Sequence, residues 1–521
     1  MKRILLVSKE TYSRSMHYLA QILKKEGHTV AAFFIMPHEV LLNQQDYSQF
    51  VEANPDMDIF TVRDMALKYF HDVKASKMSI DWDYVNKIEK EYSNFKTIGL
   101  QTLSSQWFST YAHSRNYYHD LPWDKQLYFM QLYYERVENI LDEFKPDVIY
   151  DSDVAEYGRT VLLEVSYARG IPYVTLQHSY FQDYLLPTLT LSTTVEDWWI
   201  NAYDTKKMEL HSCADLSTRP GMKALQDFRK KRRILRKDQN FIYQVGIFAW
   251  RRDTHMLDYS IKKTIKWNLP YWWKYFRHVT TPLFSDPIWR NIYHIQEYMG
   301  KLLNRYFSLF ERVNLEKEHY ILFPLHQLPE SSTLQKSPFY LNETILIEAV
   351  SKSALPNQRI LVKENPVMIG ERPRSFYRKI KRLPNVILVD PFMFDDPRPY
   401  IEHADGVITI TGTAGMEAVL LGKPSIIFGP TPYSVLSCVQ QLSDVTKLPQ
   451  AIRSWRDYVT DDRELAVYIE TVMEWGAKCG LLYLTGKPLQ CNSTEILEQT
   501  EVLYSILKKG EETFHIEENR F

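Results

Sequence analysis

The sequence runs through one pattern twice, and that repetition limits the folds open to it. A short apolar run is followed by a stretch with helical spacing and then by another apolar run. Residues 4–7 are apolar, and Met16, Leu19, Ala20 and Leu23 recur at helical spacing within 13–26. Gly27 suits a helix end, and 29–35 is apolar again. Such a unit favours a parallel sheet with a right-handed crossover. The rhythm returns with a predicted strand at 146–150, a helix at 157–168 and a strand at 173–176, assigned to the same sheet. A second series begins at Tyr320, with predicted strands at 320–323, 359–363, 386–389, 406–410 and 425–428. Helices are predicted between them at 342–353, 375–382, 400–403 and 415–421. The fold class is therefore α/β, with two doubly wound sheets. Ligands of such sheets bind outside the carboxyl ends of the strands.

A chain of 521 residues has room for two or more domains. The divisions fall at 1–189, an N-terminal Rossmann-like domain; 190–318, a helical middle; 319–463, a C-terminal Rossmann-like domain; and 464–521, closing helices. The formal net charge of −1 argues against a nucleic-acid partner. Four scattered cysteines form no CxxC pair, which speaks against a zinc site or disulfide framework. The first apolar run is too short for a signal peptide, and no window reads as a membrane span, so a cytoplasmic protein is expected. One segment departs from neutrality. Residues 229–278 hold 14 basic residues against three acidic ones, a difference of +11, with Trp250, Trp267, Trp272 and Trp273 among them. Solvated helices with inward-packed aromatics explain this, as does a patch for anionic membrane.

The stretch from Gly406 to Gly422 carries the most chemical information. A strand runs into Thr411-Gly412-Thr413-Ala414-Gly415, where a helix begins. A glycine-bearing turn at a helix start suits a phosphate. Glu417 then falls in the predicted first turn, either complementing the helix dipole or accepting hydrogen bonds from a ribose diol. His326 and Lys363 follow two other strands of this sheet, the one a candidate acid–base or donor-facing group, the other a cation for phosphate. Each has a plain structural alternative in packing or solvation.

On the N-terminal side, Asp151, Asp153 and Glu156 follow a strand end. A carboxylate there could deprotonate an acceptor hydroxyl or attack an anomeric carbon. The rival reading is a capping pair, with Asp153 at the N-cap and Glu156 three residues on. His178, after the next strand, is a comparable candidate.

Four segments together resemble the capsule polysaccharide biosynthesis family, whose best-known members are Kdo transferases: FPLHQLPESS (323–332), VKENP (362–366), NVILVDP (385–391) and TITGTAGMEAVLLGKPSIIFG (409–429). In the N-terminal half, KPDVIY (145–150) and GIPYVTLQHS (170–179) are similar too. Where the family usually has Lys-x-His-Pro, this chain has Asn365 in the histidine's place. The resemblance implies a GT-B glycosyltransferase with two Rossmann-like domains facing a cleft. Thr411, Gly412, Thr413, Gly415 and Glu417 would bind the nucleotide of a sugar donor, CMP-Kdo-like by analogy, while His326 and Lys363 would face its phosphate and sugar. A glycan or glycolipid acceptor would lie on the N-terminal domain. No metal is implied, and no cofactor beyond the nucleotide-sugar as co-substrate. Two other functions fit the same scaffold: a nucleotide-sugar epimerase or hydrolase, and a non-catalytic binding member of an assembly complex.

Overall fold

The computed structural model describes residues 1–108, 121–211, 215–230, 244–245, 248–251, 256–259, 269, 296, 299–304, 307–328, 331–394, 397–489, 491 and 493–517. The N-terminal sheet has seven strands: β1 (Arg3–Ser8), β2 (Thr29–Phe34), β3 (Asp58–Thr61), β4 (Val148–Tyr150), β5 (Tyr173–His178), β6 (Tyr184–Thr188) and a late arrival from the far end of the chain, Ala477–Lys478. Its order is Ala477–Lys478, β6, β5, β4, β1, β2, β3. Strands β3, β2, β1, β4 and β5 are parallel, and the two at the other edge pair antiparallel. The central strands are buried along their length, as sheets covered on both faces require.

The middle begins with helices Asp197–His211 and Pro220–Lys230. It then departs from the helical expectation with a three-stranded antiparallel sheet of β7 (Gln244–Val245), β8 (Phe248–Arg251) and β9 (Met256–Tyr259). Aromatic residues favourable to strands are frequent there, and they outweigh the weak helical spacing. Most of the basic, tryptophan-rich segment lies outside the described residues.

The C-terminal sheet is entirely parallel: β10 (Tyr320–Pro324), β11 (Arg359–Lys363), β12 (Val386–Val389), β13 (Gly406–Thr409), β14 (Ser425–Ile427) and β15 (Val439–Gln441). Its order β12, β11, β10, β13, β14, β15 reverses between β10 and β13. The N-terminal sheet reverses between β1 and β4. A crevice opens outside the strand ends at each reversal, and ligands of doubly wound sheets sit there.

After this sheet the chain returns to the first. Helix Asp462–Trp475 packs on the middle helices, with both Arg229 terminal nitrogens 2.7 Å from the Asp462 carboxylate and Tyr203 donating to Glu464 at 3.1 Å. Helix Thr494–Glu517 reaches the N-terminal sheet, where its Glu511 accepts from Lys2 at 2.5 Å and from Tyr150 at 2.6 Å. The two Rossmann-like halves are thus tied at the back in a GT-B-like arrangement. Among the described residues, no helix is long and apolar enough to cross a membrane.

Candidate functional site

The C-terminal crevice is built by the residues that follow β10, β11 and β13. His326 lies just past β10 and is buried. The Glu343 carboxylate, at the first position of helix Glu343–Ser353, accepts from the His326 backbone N–H at 2.8 Å and faces its Nδ1 at 3.0 Å. On the other side Nε2 meets the Thr409 hydroxyl at 3.0 Å and the Thr411 backbone N–H at 3.4 Å. A backbone N–H can only donate, so Nε2 must be the bare nitrogen and Nδ1 the one carrying the proton. The chain of bonds continues as the Gly412 N–H donates to Thr409 Oγ1 at 3.2 Å, and Tyr433 donates to the Gly412 carbonyl at 2.8 Å.

Beneath His326 lies a buried ion cluster. Arg372 pairs with Glu343 at 2.7 Å and with Glu364 at 3.0 Å, and it also donates to the His326 carbonyl. Tyr377 donates to Glu364 at 2.7 Å. Burial pushes the Glu343 carboxyl up, but Arg372 and the His326 donors outweigh it and hold Glu343 below the ordinary range.

The glycine-bearing turn has a different local logic from the one its sequence suggests. The helix runs Thr413–Leu420 with Gly412 at its N-cap. Glu417 therefore sits in the second turn, too far in to complement the helix start as predicted. It is half-buried and close enough to Lys363 to favour that lysine's charge. The Thr411 side chain is 2% exposed. The Thr411 and Gly412 amides are spent on Nε2 and Thr409, so the amides left at the helix start are those of Thr413 and Ala414. Thr413 is exposed.

A Cβ on Gly412 would lie 2.6 Å from Thr409 Oγ1, which explains the residue. A Cβ on Gly415 would lie 2.7 Å from the Tyr433 hydroxyl and 2.9 Å from Ser425 Oγ. Glycine at 415 therefore lets the helix pack against β13 and β14. It does not open a path for phosphate to the backbone, as the sequence suggested.

Lys363 ends β11, half-buried, with its ammonium 5.4 Å from the centre of the Tyr400 ring. Burial lowers its pKa to about 8, against the opposing pull of Glu364 and Glu417. Asn365 is half-buried beside it, and its N–H donates to Glu364 at 2.7 Å.

The N-terminal crevice gathers Lys9 from the end of β1 with the carboxylates after β4. Asp151 is fully buried and wholly engaged: Arg159 grips it at 2.6 and 3.0 Å, Tyr173 donates at 2.5 Å, and the Ser152 and Asp153 amides donate at 2.7 and 3.3 Å. Glu156 takes Lys9 at 2.5 Å and the Trp107 indole N–H at 2.5 Å. The capping pair does not form. The helix starts at Tyr157, and Glu156 occupies the N-cap position with φ 92° and no side-chain cap bond. That backbone conformation is costly for a residue with a Cβ, and the two bonds to its carboxylate hold it there.

Asp153 differs from both neighbours. Its side chain is 18% exposed, with Arg159 at 3.3 Å from one carboxylate oxygen and the Val154 amide at 2.8 Å from the other. His178, exposed at the end of β5, lies near Asp153 and Lys336. Desolvation by its neighbours, helped by the Lys336 ammonium, holds its pKa below the usual histidine value.

Three functional-looking residues escaped the sequence reading. Lys9 directly follows the first strand, so the strand-end rule that selected Asp151 would have found it. Arg159 carried no signal, being one arginine in an apolar helix. Glu39 is buried, with one oxygen accepting from the Glu10 amide at 3.0 Å and burial raising its pKa to about 8.

The halves meet along helix Ser331–Lys336. Lys336 donates to the Tyr180 hydroxyl at 2.9 Å. Gln335 accepts from Lys96 at 2.5 Å and donates to Thr160 at 3.0 Å. The helix after β10 thus lies against Thr160 and Tyr180 of the N-terminal half, with Lys336 near His178.

Solved structures with a similar course of chain include two Kdo transferase structures of Thermosulfurimonas dismutans KpsC. The β Kdo 2,7 transferase is 14% identical, TM-score 0.29, over 64% of this chain and 79% of that one. The β Kdo 2,4 transferase is 14% identical, TM-score 0.31, over 62% and 79%. A UDP-GlcNAc 2-epimerase from Neisseria meningitidis, bound to UDP-GlcNAc, is 11% identical, TM-score 0.27, over 91% and 99%. Likenesses this distant say nothing about chemistry. No curated protein matches the sequence. The family match is local and covers the C-terminal crevice: residues 272–452, roughly a third of the length, match the model of the capsule polysaccharide biosynthesis protein family.

Proposed function

We propose that the chain is a glycosyltransferase of capsule assembly that moves a sugar from a nucleotide donor to a glycan or glycolipid acceptor. One observation carries the reading. Both sheets place their chemistry-bearing residues at the reversal of strand order, and the two crevices bear complementary groups. On the C-terminal side, the Thr413 and Ala414 amides and the Lys363 ammonium suit a donor phosphate, and Glu417 suits the ribose diol. On the N-terminal side, Asp153 is the most exposed of the three carboxylates. In this reading the acceptor oxygen attacks the anomeric carbon as its proton passes to Asp153. The bond from that carbon to the phosphate oxygen breaks, and the charge left on phosphate is taken up by the helix start and Lys363. Asp151 and Glu156, with both carboxylates engaged, frame the crevice.

The test is a thermal-shift screen against CMP-, UDP-, GDP- and dTDP-sugars, followed by a transfer assay with the donor it identifies. A ligand that binds only the native state raises apparent stability by RT ln(1 + [L]/Kd), about 2.7 kcal/mol at a hundredfold excess over Kd. A shift by one base class together with acceptor-dependent release of nucleotide supports the reading. Turnover without acceptor would favour an epimerase or hydrolase, and no shift with any of the four would remove the donor site.

A further inference from the structure

We propose that His326 and Glu343 are positioning residues, a brace that sets the donor loop without touching donor. This rests on the reading of the Thr413–Leu420 helix start as the phosphate site. Every polar group of His326 is already held. Its backbone N–H and Nδ1 go to Glu343, its carbonyl accepts from Arg372, and Nε2 accepts from Thr409 and the Thr411 amide. No ring proton or ring lone pair is left for a substrate.

The brace has a direction. Glu343 fixes the proton on Nδ1, which leaves Nε2 bare, so that it can accept from Thr409 and Thr411. Thr409 Oγ1 in turn accepts the Gly412 amide. The two amides before the helix are thereby turned inward, which leaves the next two, on Thr413 and Ala414, as the outward pair. The brace joins strand ends that are adjacent in the sheet but far apart in sequence, since β10 lies beside β13. Arg372 adds a third strand by gripping Glu364 after β11. Few substitutions could reproduce so many directed bonds. A glutamine can bring its carbonyl oxygen near the place of Nε2, whereas an asparagine reaches only the place of Nδ1.

The experiment compares His326→Gln with His326→Asn, and adds Thr409→Val as a second break should the asparagine variant fail to fold. Two readouts are taken: amide hydrogen exchange of peptides spanning Thr411–Thr413, and calorimetric titration with CMP and UDP. Expected for His326→Asn and Thr409→Val is faster exchange in the loop, with nucleotide affinity down about tenfold or more. His326→Gln should keep both within about threefold of the parent. If the asparagine and glutamine variants behave alike, the brace is overturned. Loss of affinity in both while the loop amides stay protected would mean that His326 contacts the nucleotide itself. If the parent binds neither nucleotide, donors built on those two bases are excluded, and the exchange measurement still decides the brace.

Discussion

The two crevices use the same construction and end with opposite chemistry at the mouth. Each rests on a buried arginine clasped by carboxylates: Arg159 by Asp151 and Asp153 in the N-terminal half, Arg372 by Glu343 and Glu364 in the C-terminal half. What remains accessible differs. The first leaves a carboxylate, Asp153, beside His178, and the second leaves Lys363, Glu417 and the outward amides of a helix start. Asp151, Glu156 and His326, which sequence alone would select, are buried framework, and chemistry falls to residues less deeply buried. A donor phosphate suits the cationic mouth, and an acceptor hydroxyl that must lose a proton suits the anionic one.

The framework half of this comparison predicts the largest effect. Arg159→Met should cost on the order of 3–5 kcal/mol, because it leaves Asp151 buried without a counter-charge. Chemical denaturation should show this as a lower midpoint. Asp153→Asn, by contrast, should move the midpoint by less than about 1 kcal/mol. Comparable losses in both would erase the distinction between frame and mouth.

Glu417→Ala comes next. Loss of hydrogen bonds between a charged carboxylate and a ribose diol should weaken nucleotide binding by about 1.5–3 kcal/mol, or roughly ten- to a hundredfold, with the melting temperature nearly unchanged. Unchanged affinity in a calorimetric titration would take the ribose away from this residue.

Lys363 gives a smaller effect with a definite sign. Its pKa is lowered to about 8, so its ammonium is fully present only below that pH. A bound phosphate favours the ammonium, so nucleotide affinity should be level below pH 8 and fall above it, by at most about tenfold per pH unit. Stability of the unliganded protein should move the other way. The unfolded chain holds this proton between pH 8 and the ordinary lysine value, so the lysine's cost is full below pH 8 and fades as pH rises through that window. Lys363→Met should abolish both trends and raise the melting temperature. A pH series with the variant as reference checks each.

The contact between the halves should give the smallest change. Gln335→Ala removes one side chain that Lys96 and Thr160 hold from across the cleft. A loss of about 1 kcal/mol or less is expected, with nucleotide affinity within about twofold of the parent and turnover slower. A large fall in nucleotide affinity would mean that this contact shapes the donor site itself.

The sheets were legible because buried parallel strands are short unbroken apolar runs, and all the predicted C-terminal strands recur within a residue or so at each end. Strand β15 was missed because it is three residues long with polar Gln440 and Gln441, and Ala477–Lys478 because its pairing partner lies nearly 300 residues earlier. The site was legible as a set of strand ends, since topology alone directs ligands there. The bonding of each side chain was not, because it depends on contacts distant in sequence. Nothing in FPLHQLPESS announces that Glu343 and Thr409 will occupy both ring nitrogens of His326. Nor does Asp151-Ser-Asp153 reveal that the first aspartate will be fully buried on Arg159 and the second left partly exposed.

The division of labour between the crevices is tested most directly in Asp153→Asn, by measuring donor affinity and transfer rate on one preparation. The donor is the nucleotide-sugar found in the thermal-shift screen. Affinity is expected to stay within about threefold of the parent, because the nucleotide groups all lie in the other half. Transfer should fall by at least about a hundredfold, in keeping with loss of a positioned general base. Near-normal transfer, or a collapse of donor affinity with it, would contradict the assignment of donor binding to one crevice and proton removal to the other.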